Sequence, residues 1–133
     1  MQSVMPKIIL ILLLAAASNS AMAEWIEVGS NATDTLYVDP STIRGTDTLA
    51  KMWALNDYKA TQIIDNRVPF KSVKMEYEYD CKNELSRLLY FTSHPANMAE
   101  GEVLDFNFAP GAWTRSAPGS VLDAMWKIAC GKV

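Results

Sequence analysis

The two cysteines of the chain constrain its fold more than any other feature. Cys81 ends a predicted strand that starts at Ser72, in which apolar and polar residues alternate strictly. Cys130 lies near the end of a segment whose apolar residues recur at helical spacing. Both cysteines therefore lie on apolar faces, one of a strand and one of a helix. A disulfide between them would fasten the helix across a sheet.

The N-terminal segment indicates the compartment in which these cysteines meet. Lys7 supplies a positive charge, residues 8–17 form an unbroken apolar run, and Ala21 to Ala23 match a signal-peptidase site. The run is shorter than the roughly 20 apolar residues of a membrane span. We therefore predict a cleavable signal over residues 1–23 and a mature domain over residues 24–133. Two thiols in an oxidising compartment usually pair, and two free buried cysteines are the alternative.

The predicted mature domain is acidic. Lys7 is the only charged residue of the signal, so its removal from 12 basic residues leaves 11 against 15 acidic ones, a net charge of −4. This balance disfavours nucleic-acid binding, which needs a concentrated basic surface, and electrostatic docking on an anionic membrane. A lipid anchor would need a cysteine just after the apolar run, and none lies there, so we expect the signal not to be that of a lipoprotein. We predict a periplasmic, released or cell-surface protein without stable membrane insertion after cleavage.

Residue periodicity predicts a mostly extended chain that ends in one helix. Asp39 and Pro40 predict a single helical turn that ends at Ile43. Ser120, with an acidic residue three positions later, predicts the start of the C-terminal helix, and Gly131 predicts its end. Predicted strands cover residues 25–28, 36–38, 49–58, 72–81, 85–92 and 101–108. The fold class is therefore α+β, an antiparallel sheet of about six strands with a C-terminal α-helix packed on one face and tied by a disulfide.

Stretches along nearly the whole mature chain resemble the surface-adhesin E family of Gram-negative bacteria. The matching stretches are YVDPSTI at residues 37–43, KMW at 51–53, DYK at 57–59, SVK at 72–74, EYDC at 78–81, RLL at 87–89 and PGS at 118–120, followed by Cys130. The resemblance implies an antiparallel sheet whose concave face holds a C-terminal helix through one disulfide. It also implies a protein partner and a homodimer, because the named member of the family binds vitronectin and laminin and is reported to dimerise.

The resemblance assigns a role to basic residues near Cys81, since host binding in the named member is associated with a basic stretch around the first cysteine. Lys82 and Arg87 are the candidates for partner contact in the matching region. The alternative is ordinary surface charge, with Arg87 paired to Glu84 or Asp80.

Patterns for catalysis and metal binding are weak. His94 is the only histidine, Pro95 follows it, and the chain has no Gly-x-Ser-x-Gly elbow. Zinc needs about four nitrogen or sulfur ligands, more than one histidine and two bridged cysteines supply. Glu76, Glu78 and Asp80 line one face of their predicted strand and are spaced about 7 Å apart along it, as in some glycosidases, but Lys74 shares that face and a solvated surface is favoured. We predict no catalytic residue, no cofactor and no metal.

The tryptophans are interpreted as core residues rather than as an exposed stacking platform. Trp126 belongs to the apolar stripe of the helix, and Trp53 lies in the middle of a strand. Trp25 and Trp113 are expected to close the edges of the sheet.

The function predicted from these patterns is that of an exported, non-catalytic binding protein resembling surface adhesin E, with host or extracellular-matrix proteins as partners. The alternative is a periplasmic accessory or small-ligand-binding module of the cell envelope that uses the concavity of the sheet.

Overall fold

The computed structural model describes residues 23–63, 68–108 and 110–132. These residues form one antiparallel sheet and a C-terminal α-helix. The elements are β1 (Ile26–Ser30), β2 (Asp34–Thr46), β3 (Leu49–Gln62), β4 (Phe70–Asp80), β5 (Leu85–His94), a 3-10 turn (Asn97–Ala99), β6 (Asp105–Asn107), β7 (Thr114–Arg115) and α1 (Val121–Ala129). The predicted export signal lies outside the described residues, apart from Ala23.

The sheet is an antiparallel meander. Strands β1 to β6 are hydrogen-bonded in the order in which they follow one another along the chain, and β7 pairs with the start of β5. Asn31 closes the first hairpin, because its Oδ1 accepts the backbone N–H groups of Thr33 and Asp34 at 2.8 and 3.0 Å. The last predicted strand is shorter than expected, since only Asp105–Asn107 pairs with β5. The α+β class and the antiparallel sheet are confirmed, with the two-residue β7 added to the six expected strands.

Alternate residues of β2, β3 and β4 form the face on which α1 packs, called here the helix face. The buried residues of this core are Val38, Met52, Ala54, Met75, Tyr79, Met125, Trp126 and Ala129. Trp126 is buried, as predicted, and its indole Nε1 donates to the backbone carbonyl of Asp80 at 3.0 Å. An apolar contact and a directed hydrogen bond therefore hold the helix at the end of β4.

Both ends of α1 follow from local sequence signals. Ser120 Oγ accepts the backbone N–H of Asp123 at 3.2 Å, and the Asp123 carboxylate accepts the N–H of Gly119 at 3.1 Å. The Gly119 N–H, followed by the Lys127 ammonium, holds the pKa of Asp123 below its usual value. Gly131 ends the helix at φ +67°, a conformation that glycine adopts without a steric penalty.

The predicted disulfide is present. Cys81 follows directly on β4, and Cys130 follows directly on α1. Their sulfur atoms are bonded across a sequence separation of 49 residues, with the two Cα atoms 5.6 Å apart. The bond therefore joins the end of the helix to the end of an inner strand, as the positions of the cysteines in the sequence predicted.

The segment after Asp39 is extended, so the predicted helical turn is wrong. β2 continues through this segment, and its register on β3 shifts between Asp39 and Arg44. Thr42 Oγ1 donates to the carbonyl of Asp39 at 2.6 Å and accepts the N–H of Trp53 at 3.0 Å. A side-chain hydroxyl thus replaces a backbone partner in the ladder, which allows the strand to bulge rather than to turn as a helix.

Candidate functional site

The sheet face that points away from α1 is the second large surface of the molecule, called here the open face. Trp53 and Leu55 of β3 belong to it, because they alternate with the β3 residues of the helix face. They lie opposite Glu76 and Lys74 of β4. Tyr90 of β5 extends the same face, since it lies on the other side of Glu76. Three strands therefore contribute side chains to one continuous surface.

Two glutamates of the open face are buried, so the predicted solvated surface is wrong at these positions. Glu76 pairs with the Arg44 guanidinium. Glu78 Oε1 accepts Nε and Nη2 of Arg87 at 2.9 and 2.7 Å. The two glutamate side chains are only 6% and 9% exposed, whereas their arginine partners are 53% and 30% exposed. The open face therefore buries these acids and presents their cations to solvent.

Four aromatic rings form a continuous row across the open face, called here the aromatic row. Trp53 contacts Tyr90 edge-on, with ring centroids 5.1 Å apart. Phe108 lies 5.1 Å from Tyr90 and 5.0 Å from Phe106. Trp53 and Tyr90 are half-buried, whereas Phe106 and Phe108 are 59% and 61% exposed. Trp53 thus lies in a surface row and not in the helix-packed core, which corrects its predicted position.

Cations flank the rings of the open face. Lys74 Nζ lies 4.4 Å from the ring centroid of Trp53, and Arg87 Cζ lies 4.5 Å from that of Trp113. Contacts of this kind contribute about 0.5–1 kcal/mol at exposed sites. Burial raises the pKa of Tyr90, and the negative charge of Glu76 raises it further. The surface therefore combines apolar rings with positive charge.

Lys82, the first residue predicted to contact a partner, is exposed in the turn between β4 and β5. The Asp80 carboxylate organises this turn by accepting the backbone N–H groups of Lys82 and Asn83 at 3.1 and 3.0 Å. The contacts from Asn83 are the main reason why the pKa of Asp80 lies below its usual value. The Lys82 ammonium projects from an ordered turn, and its contact with a partner stays a prediction.

Arg87, the second residue predicted to contact a partner, is a structural residue of the open face. It pairs with Glu78 across the β4–β5 ladder, so the alternative pairing with Glu84 or Asp80 is wrong. Glu84 is instead paired with Arg115 at 3.4 Å on the surface. The sequence missed the correct partner because Glu78 is opposite Arg87 only in the folded register.

His94 lies at the end of β5 and is buried. Its Nε2 is 2.8 Å from Thr92 Oγ1, and its Nδ1 is 3.4 Å from the carbonyl oxygen of Gly101. The tautomer with a proton on Nδ1 satisfies both contacts, because Nδ1–H donates to the carbonyl and Nε2 accepts the hydroxyl. The imidazole therefore holds a loop against β5. Within residues 23–63, 68–108 and 110–132, no group of three or more His, Cys, Asp and Glu side chains is arranged to hold a metal ion.

A cavity of about 370 Å³ lies on the helix side of the sheet, beside the start of α1. Leu36, Met75 and Leu122 supply apolar wall, and Asn31 and Asp34 supply polar groups. Small-molecule sites in proteins typically have volumes of about 300–1,000 Å³ and a similar mixture of apolar walls and a few polar groups. The cavity is therefore a second candidate site, separate from the open face.

The family model described as surface-adhesin protein E matches residues 25–131. The chain belongs to the surface-adhesin E family. This membership confirms the resemblance inferred from the short sequence stretches, and a family of surface adhesins indicates a surface or exported protein. No curated protein matches the chain. In the described part of the structure, no helix is long and apolar enough to cross a membrane.

For this member of the adhesin E family, replacing Arg87 by alanine is expected to lower the free energy of unfolding by about 2–3 kcal/mol. Glu78 would then be buried without its partner, and the partial exposure of Arg87 keeps the effect below that of a fully buried pair. Chemical denaturation measures the change. The double variant Arg87→Met/Glu78→Met removes both charges and is expected to recover most of the loss. Wild-type stability in Arg87→Ala would show that the pair is not needed.

Proposed function

We propose that this surface-adhesin E family member is an exported, non-catalytic protein that binds a protein partner through the aromatic row of its open face. The observation that carries the proposal is the contiguous exposure of Phe106 and Phe108 beside the half-buried rings of Trp53 and Tyr90. Single exposed apolar residues are normal on a protein surface, but contiguous ones mark binding sites. Aromatic residues and arginine are also the types most enriched in protein interfaces.

The aromatic row has the layout of a binding surface with a rigid base and an accessible rim. Trp53 and Tyr90 come from the inner strands β3 and β5 and are fixed by contacts with their neighbours. Phe106 comes from the edge strand β6, and Phe108 follows that strand directly. A partner that covers the two phenylalanines would bury their rings without any rearrangement of the base, which keeps the entropic cost of binding low.

The partners expected from the family resemblance are host extracellular-matrix and serum proteins, with vitronectin and laminin as the ones to test. Lys82 is retained as a contact residue of the proposal because its ammonium is exposed. Arg87 is retained through the exposed part of its guanidinium, which lies on the Trp113 ring. Lys82→Ala keeps the backbone contacts of its turn, so unchanged partner binding by this variant would remove Lys82 from the interface. A homodimer also remains part of the proposal.

Replacing Phe106 and Phe108 together by serine is expected to raise the dissociation constant for immobilised laminin or vitronectin by about 30- to 700-fold. Each exposed ring that becomes an anchor in a complex contributes about 1–2 kcal/mol, and about 1.4 kcal/mol corresponds to a factor of ten. Surface plasmon resonance with the oxidised mature protein measures the change. The melting temperature is expected to stay within about 5 °C of the wild type, because each of the two exposed substitutions usually costs less than about 0.5 kcal/mol.

The matched control for this experiment is Ile26→Ser/Val68→Ser, which removes two apolar side chains of similar exposure outside the aromatic row. The control is expected to bind like the wild type. Equal weakening in both double variants would indicate non-specific apolar adsorption. Unchanged binding by Phe106→Ser/Phe108→Ser would remove the aromatic row from the proposed function.

A second candidate function, a periplasmic accessory or ligand-carrying module, is favoured by the cavity beside α1. The two functions need the protein in different places. Digestion of the protein by protease added to intact cells would support adhesion. Release of intact protein only after osmotic shock would support the periplasmic role.

A further inference from the structure

A cleft of about 330 Å³ opens on the open face beside the bulge of β2. Its charged lining consists of Arg44, Lys51 and Glu78, and the other lining residues are Gly45, Thr46 and Leu49. Two of its three charged side chains are therefore cations, although the predicted mature chain is acidic overall.

The two cations of the cleft occupy an unfavourable arrangement for the isolated sheet. Arg44 of β2 and Lys51 of β3 lie directly opposite each other in the ladder. Like charges at directly opposed positions of antiparallel strands destabilise the pair, because their Cβ atoms lie only about 4.5–5.5 Å apart. The direct opposition of Arg44 and Lys51 therefore does not itself stabilise the sheet. A bound anion would remove the repulsion.

The acids around the cleft do not neutralise both cations. Glu76 is paired with Arg44, and both hydrogen bonds of Glu78 to its partner come from Arg87. Lys51 lies opposite Glu78 on the neighbouring strand, but its ammonium forms no salt bridge within the described residues. The cleft thus holds an ammonium without an ion-pair partner beside a half-exposed guanidinium.

The cleft and the aromatic row are parts of one surface. Arg44 lines the cleft and also pairs with Glu76, and Glu76 lies between Trp53 and Tyr90 in the sheet. A ligand that places a negative charge in the cleft can therefore place an apolar group on the row at the same time. The exposed charge at this junction is positive, since the Glu76 side chain is only 6% exposed.

We propose that the cleft binds a carboxylate of an acidic polypeptide segment whose apolar side chains lie on the aromatic row. This inference rests on the proposed protein-binding function and specifies the chemistry of the partner. A polypeptide fits better than a sulfated polysaccharide, because its apolar side chains can bury the exposed rings of Phe106 and Phe108, whereas a densely sulfated sugar chain offers these rings little apolar surface. The net charge of −4 also repels a long polyanion, whereas screening over about 8 Å at physiological salt lets a short acidic segment respond to the local cations.

The test measures fluorescence anisotropy with the oxidised mature protein and two labelled peptides. In the first, the Glu/Phe peptide, pairs of Glu residues alternate with pairs of Phe residues. In the second, the Lys/Phe peptide, Lys replaces every Glu. At physiological salt, where screening restricts the electrostatic contacts to nearby charges, we expect the Glu/Phe peptide to bind at least about tenfold more tightly than the Lys/Phe peptide. Its binding is expected to weaken as salt rises further. Lys51→Glu is expected to raise the dissociation constant for the Glu/Phe peptide by about tenfold or more. Its melting temperature is expected to stay within about 3 °C of that of the wild type, because the new carboxylate lies opposite Arg44 on one side and opposite Glu78 on the other.

The matched control is Lys132→Glu, which makes the same change of charge at an exposed position after α1. This variant is expected to keep the affinity of the Glu/Phe peptide within about twofold. If Lys51→Glu and Lys132→Glu weakened binding of the Glu/Phe peptide equally, the effect would reflect net charge alone, and the cleft would not be the binding site. The inference that the ligand is an acidic polypeptide would be wrong if either the Lys/Phe peptide or a heparin oligosaccharide bound more tightly than the Glu/Phe peptide.

The experiment separates this inference from the function on which it rests. Suppose that Phe106→Ser/Phe108→Ser no longer binds the matrix protein, whereas Lys51→Glu still binds both the matrix protein and the Glu/Phe peptide. The proposed function then stands, and the inference about the cleft is wrong. If neither variant changes binding of the matrix protein, the proposed function itself is wrong.

Discussion

Replacing Cys81 and Cys130 together by serine is expected to lower the free energy of unfolding by about 4 kcal/mol. The bond closes a loop of 49 residues, and the entropy that this closure removes from the unfolded chain accounts for an effect of that size at 25 °C. The corresponding fall in melting temperature is roughly 15 °C for a domain of this length. Thermal unfolding followed by circular dichroism, without reducing agent, measures the difference from the wild type.

Two comparisons identify the bond as the cause. The wild-type protein in excess reductant should unfold at the temperature of the double variant, because both then lack the same covalent link. Either single variant, Cys81→Ser or Cys130→Ser, should match the double variant when its remaining thiol is alkylated in the unfolded state. A fall of less than about 3 °C in the double variant would mean that the helix is held by packing alone.

The helix and the disulfide could be predicted because their signals are local. The apolar stripe of α1, the Ser120 cap and the stop at Gly131 all lie within one short segment. The pairing of Cys81 with Cys130 could be inferred from the predicted export signal and a count of two thiols, without knowledge of the strand register. Local periodicity also located β3, β4 and β5, since each presents one apolar face to α1.

The open face could not be predicted because its contacts join residues that are distant in sequence. Alternation marked Glu76 as a residue of the outward face, and an outward glutamate is usually solvated. Arg44, which covers Glu76, lies 32 positions earlier and reaches it only because the bulge in β2 sets the register of that strand. The Glu76 side chain is therefore buried by an ion pair between strands, which the periodicity of a single strand cannot indicate.

The aromatic row was missed for the same reason. Its four rings come from β3, β5 and the β6 edge, and no sequence window contains Trp53 together with Phe108. The signal that could have suggested the row was the alternate spacing of Phe106 and Phe108 at the end of the last predicted strand, which places both rings on one face. At Asp39 and Pro40 a local signal was misleading, because it predicted a helical turn where the chain is extended. The Thr42 hydroxyl bonds the Asp39 carbonyl and the Trp53 N–H in that extended chain.

Replacing Trp126 by alanine is expected to lower the free energy of unfolding by about 4–5 kcal/mol. Loss of a buried tryptophan usually costs about 3–5 kcal/mol, because a cavity remains where the ring was. The variant also removes the Nε1 donor and leaves the carbonyl of Asp80 without this partner. Urea denaturation measures the loss, and a value under about 2 kcal/mol would show that the helix face closes over the missing ring.

Trp126→Phe separates the ring from its hydrogen bond, since phenylalanine fills most of the space but donates nothing. We expect this variant to lose about 1–2 kcal/mol. The Asp80 carbonyl that accepts the indole N–H belongs to the residue before Cys81, so the hydrogen bond and the disulfide hold the same end of β4. In a double-mutant cycle, Trp126→Ala and Cys81→Ser/Cys130→Ser should therefore be non-additive, with the combined loss smaller than the sum. The reason is that both changes weaken the same attachment of α1 to the end of β4, so the second change removes less stability once the first has been made.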